Sequence, residues 1–177
     1  MDKVNVLESY AERLSKNQEL AASQNKSSAS RLVWFVAIAG YAFLNVPIYL
    51  RAISDDSVSG MMLIIISAPW AFTAVFGVIT HWILGEQASK ENQYYARLIG
   101  SIYSLIMTKG DKITDQQVLN ILNESDSDLQ ECRQSGEKLE PWVKWMSHLT
   151  FFTLSFSILW SVVFVLILLT SSYFRHK

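Results

Sequence analysis

Small and polar residues recur at helical spacing inside two long apolar stretches of this chain. They recur every four positions in one stretch and at steps of three, four and four in the other. At membrane depth such groups prefer a protein interface or a water-filled path to lipid. The stripe could therefore pack helices through close contacts and hydrogen bonds, or line a pore, and an oligomer could do both. It comprises Pro69, Thr73, Gly77 and His81, and then Thr150, Thr153, Ser157 and Ser161.

A purely apolar run, residues 162–169, follows the last polar residue of the stripe. Phe164 and Leu168 continue the line of the stripe at helical spacing. Because a ring of apolar side chains can close a pore by dewetting, these two residues are the candidate hydrophobic gate. For His81 the sequence favours a histidine at the membrane interface over a proton relay.

Motifs for catalysis or metal binding are missing from the sequence. His81, His148 and His176 are not near a hydrolase-type Ser or Cys motif, and neither a Gly-rich phosphate loop nor HExxH occurs. Asp126 and Asp128 lack the glycine and distal glutamate of a calcium loop, so helix capping is the better interpretation. A single cysteine excludes an intrachain disulfide and a multi-cysteine zinc site. We expect no enzymatic activity, no cofactor and no metal.

Three stretches without charged residues must position the stripe: 32–50, 57–85 and 145–174. Each approaches or exceeds the roughly 20 apolar residues that span a bilayer as a helix. Charged residues make up 18 % of the chain and lie outside these stretches. Residues 1–30 contain several acidic residues and no apolar core, so they are not a signal peptide. The sequence predicts an all-α membrane protein with three transmembrane helices and an intracellular helical region, assembled as a homo-oligomer.

The predicted layout has four parts. Residues 1–31 form an N-terminal intracellular amphipathic helix, 32–84 a transmembrane helical hairpin, 85–144 an intracellular helical region and 145–174 the third transmembrane helix. Basic residues near the span ends set the orientation, because they stay on the cytoplasmic side. Nine basic residues lie on the same side as the N-terminus and three lie on the opposite side. This difference indicates a cytoplasmic N-terminus in the inner membrane. The nine are Arg13, Lys16, Lys26, Arg31, Lys90, Arg97, Arg133, Lys138 and Lys144, and the three are Arg51, Arg175 and Lys177.

Helical patterns continue outside the spans. A heptad seam in the leader predicts a helix that packs against a partner, and the second span continues into an apolar helix face that the seam could cover in cis or across protomers. The seam consists of Val4, Leu7, Ala11, Leu14, Gln18 and Ala21, and the face of Tyr95, Leu98, Ile99, Ile102, Leu105 and Ile106.

Local signals predict where these helices end. The pair Lys109-Gly110 is a candidate C-terminal cap, and Thr114 with Gln117 predicts a capping box. Gly136 is expected to weaken any helix in the polar segment that follows. Pro141 fits the first turn of the last helix, and Trp142 and Trp145 suit an interfacial aromatic belt.

This layout resembles the SLATT membrane effectors, small two-span proteins of bacterial conflict systems. The resemblance lies in the leader "LESYAERLSKNQELAA", the tight loop "RAISDDSVS" and the continuation "ASKENQYYARL", over about residues 4 to 108. It implies a pore that disables an infected cell when a nucleotide signal or partner triggers it. The third span departs from the two-span plan.

The favoured function is therefore an oligomeric inner-membrane effector of prokaryotic anti-phage defence that forms or gates a pore or ion path. One alternative is a non-conducting membrane sensor or anchor that binds a cytosolic defence partner. Another is a holin-like or colicin-immunity-like protein. The expected partners are membrane lipid, further copies of the chain, and a cytosolic protein or small nucleotide signal at the intracellular helices. A net charge of -1 gives no indication of direct nucleic-acid binding.

Overall fold

Helices account for nearly all of the chain that the computed structural model describes, which is residues 3–53, 60–123 and 127–175. Four α-helices follow in order: α1 (Lys3–Ile53), α2 (Gly60–Lys109), α3 (Asp115–Leu122) and α4 (Ser127–Arg175), with a 3-10 turn at Gly110–Lys112. Helices α1, α2 and α4 are long and apolar enough to cross a membrane. The predicted all-α class is confirmed. Three predicted features lie outside the described residues: positions 54–59 of the loop between the first two spans, Asp126 and His176.

The leader and the first span form one unbroken helix. Helix α1 passes through the polar stretch at residues 23–30, where neither glycine nor proline interrupts it. It also continues through Pro47 to Ile53. Helix α2 ends where the sequence predicted, because Gly110 adopts a φ of 48°, a left-handed conformation that closes a helix.

The start of α4 differs from the prediction. The helix begins at Ser127, well before Pro141, and it passes through Gly136. Good helix formers dominate this segment, and an Arg133–Glu137 ion pair one turn apart, with Nε 2.9 Å from Oε1, supports it. Leu129 anchors the first turn in an apolar core. These contributions outweigh the conformational cost of one glycine.

The helices divide into two compact units. The charged unit consists of the described residues of 1–29 and 83–142, and the apolar unit of those of 30–82 and 143–177. In the charged unit the leader seam lies on the apolar face of α2 of the same chain, so of the two arrangements left open by the sequence the structure has the one in cis. Fully buried Leu7, Leu98 and Ile102 form the centre of this core.

A capping box, a hydrogen bond and an ion pair hold α3 in the charged unit. The Thr114 hydroxyl accepts from the Gln117 amide, and the Gln117 side chain accepts from the Thr114 amide, so the predicted capping box is confirmed. Lys3 donates to the Ile113 carbonyl at 3.1 Å and pairs with Asp115 at 2.9 Å. The beginning of α1 is thereby attached to the beginning of α3.

In the apolar unit, α1, α2 and α4 pack around a small core of Ala39, Trp70 and Leu154. Most large apolar side chains of the unit point outward. In the most apolar 18-residue window of α1 only 11 % of residues are buried, against 28 % in α2. An outer surface of this kind is typical of helices that contact lipid, since exposed apolar area this large is rare on soluble proteins.

Candidate functional site

A ladder of hydroxyl pairs joins α2 to α4 in the apolar unit. The Thr73 and Ser157 hydroxyls lie 3.1 Å apart, and those of Thr80 and Thr150 lie 2.9 Å apart. All four side chains are fully buried. The pairs are seven residues apart on both helices, about two turns, so the two antiparallel helices repeat the contact in register. We call these four residues the hydroxyl ladder.

Each pair of the ladder can satisfy both of its protons. The Thr73 oxygen also lies 3.0 Å from the Pro69 carbonyl oxygen, and the Ser157 oxygen lies 2.7 Å from that of Thr153. Thr80 and Thr150 make the same contacts with carbonyls one turn back, at 2.7 and 2.9 Å. Because a hydroxyl donates once, one member of a pair donates across the interface while the other donates to its own helix. No hydroxyl proton of the ladder therefore remains free to donate to water in a pore.

Tryptophans extend the polar contacts beyond the ladder. The Trp70 indole N–H donates to the Ser161 hydroxyl at 2.9 Å, and the Trp160 N–H donates to the Ile65 carbonyl at 3.2 Å. The second bond has a specific cause. Pro69 has no N–H, so the carbonyl four residues earlier, that of Ile65, loses its helical donor. The indole of α4 replaces it, which is how spanning helices tolerate an internal proline.

Gly77 lets α1 approach α2 closely. A Cβ on this glycine would lie 2.5 Å from Cγ2 of Val36 and 3.8 Å from Cγ2 of Thr150. The Val36 side chain is β-branched and cannot easily turn away. Gly40, on α1 of the same unit, has open space around its Cβ position. The glycine of the stripe therefore serves helix packing.

The structure brings together most of the predicted stripe, but not His81. Thr73, Gly77, Thr150 and Ser157 are buried between helices, and Thr153 and Ser161 are half-buried. His81 is exposed, and Thr80 occupies the ladder position instead. A four-residue step turns about 40° beyond a full circle, so three such steps leave the face, whereas alternating steps of three and four stay on it.

Only one of the two side chains of the predicted hydrophobic gate is among those that the structure describes. The Phe164 side chain is half-buried, whereas the Leu168 side chain lies outside the described residues. Trp70, Thr80 and Trp160 belong to the polar contacts but were not predicted from sequence. Among the described residues, every buried side-chain nitrogen or oxygen has a hydrogen-bond partner. The buried hydroxyls of the stripe therefore do not need a second copy of the chain to satisfy them.

The charged unit contains a groove of about 750 Å³ between α2, α3 and the start of α4. Its α2 wall carries Arg97 at one end and Lys109 at the other. Neither cation has an ion-pair partner among the described residues. Small and hydroxylated side chains lie between them, so the wall is polar. Its other α2 residues are Gly100, Ser101, Ser104, Leu105 and Thr108.

A surface ion pair lies on α1 of the charged unit. Lys16 hydrogen-bonds the Glu12 carboxylate at 2.8 Å, which lowers the pKa of Glu12 and raises the pKa of Lys16. No cluster of three or more His, Cys, Asp or Glu side chains that could hold a metal occurs within the described ranges.

No protein-family model, curated protein or solved structure matches this chain. The functional argument therefore depends on the geometry of the two units. The apolar unit provides a closed, internally hydrogen-bonded contact between α2 and α4, and the charged unit provides a polar groove with two unpaired cations.

Proposed function

We propose that this chain is a non-conducting membrane sensor or anchor. In this proposal the apolar unit holds the protein in the bilayer, and the charged unit engages a cytosolic partner. The hydroxyl ladder is the observation that carries the proposal. A pore needs polar groups free to replace the hydration of an ion, whereas the hydroxyls of Thr73, Thr80, Thr150 and Ser157 are paired with one another inside the bundle.

The groove of the charged unit supports the partner-binding part of the proposal. Its volume is in the range of sites that hold small ligands. Arg97 and Lys109 favour an anionic group, because neither has an ion-pair partner among the described residues, although Asp128 also lines the groove. Met107, on the same helix, is 86 % exposed, which adds an apolar contact point for a protein partner.

Ion leakage from liposomes tests the non-conducting part. The full chain and the Thr150→Ala variant, which removes one hydroxyl of the ladder, are reconstituted and loaded with an ion-sensitive dye. A sensor or anchor leaves both preparations as tight as empty liposomes. Leakage through the wild-type chain, or through a correctly folded Thr150→Ala variant, would contradict the proposal.

Photo-crosslinking in cells tests the partner-binding part. A photoreactive amino acid replaces Met107 in one strain and Leu159, an exposed apolar residue of the apolar unit, in the other. The proposal predicts a discrete protein adduct at position 107 and none at position 159. Adducts of the same mass at both positions would indicate assembly with further copies or non-specific contact instead.

A triggered pore-forming effector of prokaryotic anti-phage defence is the second candidate. The observation that favours it is the exposure of His81 on the surface of the apolar unit. Where this face lies against hydrocarbon, a polar side chain finds better partners in an assembly or a water-filled path than in lipid. In such an oligomer, His81 rather than the ladder would face the path.

A reversible disulfide cross-link between α2 and α4 distinguishes the two candidate functions. The double variant Thr73→Cys/Ser157→Cys, with Cys132→Ser to remove the native thiol, can form a disulfide across the ladder, because the replaced hydroxyls are 3.1 Å apart. A path that opens between α2 and α4 would depolarise cells only after reduction. A path lined by His81 would be lost in His81→Leu in both redox states. A sensor or anchor leaves the membrane potential unchanged in every strain.

A further inference from the structure

The tryptophans of the apolar unit fall into two groups: two donate hydrogen bonds to neighbouring helices, and three lie on the outer surface. Trp70 and Trp160 donate inside the bundle, to a hydroxyl and to a carbonyl. Trp34, Trp82 and Trp145 lie on the outer surface, with 67, 71 and 58 % of their area exposed. The fold therefore provides internal acceptors for the first group and turns the second group outward.

Two of the outward-facing indoles, those of Trp34 and Trp82, need an acceptor outside the protein. The N–H groups of Trp34 and Trp82 have none among the described residues. An unpaired donor surrounded by hydrocarbon is strongly unfavourable. An indole ring placed at the boundary between hydrocarbon and headgroups avoids this cost, because its ring stays in an apolar layer while its N–H meets lipid oxygens or water.

The three outward-facing tryptophans lie at one end of the apolar unit. Val36, Gly77 and Thr150 define a common level, since the Cβ position of Gly77 contacts both neighbours. Trp34 precedes Val36 by two residues, Trp82 follows Gly77 by five, and Trp145 precedes Thr150 by five. Because α2 runs antiparallel to α4, all three displacements point the same way, by about 3 to 8 Å.

We propose that Trp34, Trp82 and Trp145 form a belt that binds the bilayer interface and sets how deeply the apolar unit sits. The partner is the ester and phosphate layer of glycerophospholipids, whose oxygens accept from the indole N–H groups of Trp34 and Trp82. This inference rests on the membrane location in the proposed function. It adds Trp34 and Trp82, on two further helices, to the interfacial position predicted for Trp145.

Helix length agrees with this placement. A hydrocarbon core about 30 Å thick corresponds to about 20 helical residues. Counted from the belt, that distance reaches the end of α1 at Ile53 and the third residue of α2, Met62. Both helices of the hairpin, α1 and α2, therefore have their far ends near the level at which the opposite membrane interface is expected.

Fluorine NMR with spin-labelled lipids tests the belt on the full chain. The protein is labelled with 5-fluorotryptophan and incorporated into phospholipid nanodiscs, and single Trp→Phe variants assign the resonances. One disc preparation contains lipid with a nitroxide on the headgroup, and a second contains lipid with a nitroxide near the chain end. The belt predicts that Trp34, Trp82 and Trp145 lose more intensity with the headgroup nitroxide. Trp70 lies 12 residues before Trp82 on α2, about 18 Å deeper in the bilayer, and should lose more with the chain-end nitroxide.

Other outcomes overturn the belt. Stronger loss with the chain-end nitroxide would place these rings in the hydrocarbon core. Loss with neither lipid would mean that a second copy covers them, and loss only with a soluble paramagnetic chelate would place them in water. Co-elution of the chain with the nanodiscs is measured separately, so failure of membrane incorporation can be distinguished from failure of the belt.

Discussion

The bond between Trp160 and the Ile65 carbonyl allows a quantitative test of how the apolar unit tolerates Pro69. Trp160→Phe removes the indole N–H but retains a ring that can stack on Phe156, whose centroid lies 5.9 Å from that of Trp160. The Ile65 carbonyl then has neither its helical donor nor the indole. We expect the variant to fold to the same structure with lower stability.

The expected loss follows from the geometry of the bond. A buried polar group left without its partner costs about 1–3 kcal/mol, and hydrogen bonds between spanning helices average about 0.6 kcal/mol. The bond is 3.2 Å long and Trp160 is partly exposed, which favours the lower part of this range. We expect about 1 kcal/mol, which lowers the folding equilibrium constant roughly fivefold.

A double-mutant cycle with Pro69→Ala identifies the cause. Alanine restores the backbone N–H that Pro69 lacks, so the Ile65 carbonyl regains its helical donor. Trp160→Phe should then cost less in the Pro69→Ala background, with a coupling of about 0.5 kcal/mol or more. Trp34→Phe, the same chemical change on the outer surface, serves as the control.

Reversible unfolding in mixed micelles, followed by far-UV circular dichroism during titration with SDS, measures all five proteins. Equal losses for Trp160→Phe in both backgrounds would refute the reasoning. So would a loss for Trp34→Phe as large as that for Trp160→Phe, because this would show that any indole deletion lowers stability regardless of its partner.

Further predictions follow from the packing, the cap and the predicted orientation. Gly77→Ala should destabilise the apolar unit by about 1–3 kcal/mol through overpacking against α1, whereas Gly40→Ala should be neutral or stabilising in the same SDS titration; equal effects would contradict the close approach. Thr114→Ala should cost about 1 kcal/mol and speed amide exchange in α3, and unchanged exchange would show that the capping box adds little. Ser57→Cys and Ser127→Cys, each as the single cysteine with Cys132→Ser, should label from opposite sides of the membrane with an impermeant thiol reagent. Labelling of Ser127→Cys from outside intact cells would contradict the predicted topology.

The long helices could be predicted because their signals are strong and local. The absence of glycine and proline before Gly40 predicts a helix through the polar stretch at residues 23–30, and Gly110 marks the end of α2. The leader seam was predictable for the same reason, since a run of apolar residues at heptad spacing can be satisfied only by another apolar face. Homo-oligomerisation stays a prediction.

The start of α4 and the membership of the ladder could not be predicted from the same signals. Gly136 and Pro141 predict a break, but Leu129 packs into a core made by distant residues and keeps the segment helical. His81 matches a four-residue repeat that the true helical pitch does not follow. Trp160 gave no signal, because its role depends on a carbonyl of α2 that a proline deprives of its donor.

The equal spacing of the hydroxyl pairs limits how α2 and α4 can move. Positions 73 and 80 face 157 and 150, so a single axial register satisfies both pairs at once. A slide of α4 by part of a turn breaks both pairs together, and no intermediate offset restores one while the other is broken. Axial sliding of α4 along α2 therefore breaks both contacts together, and a signal that drives such sliding must supply the energy of both.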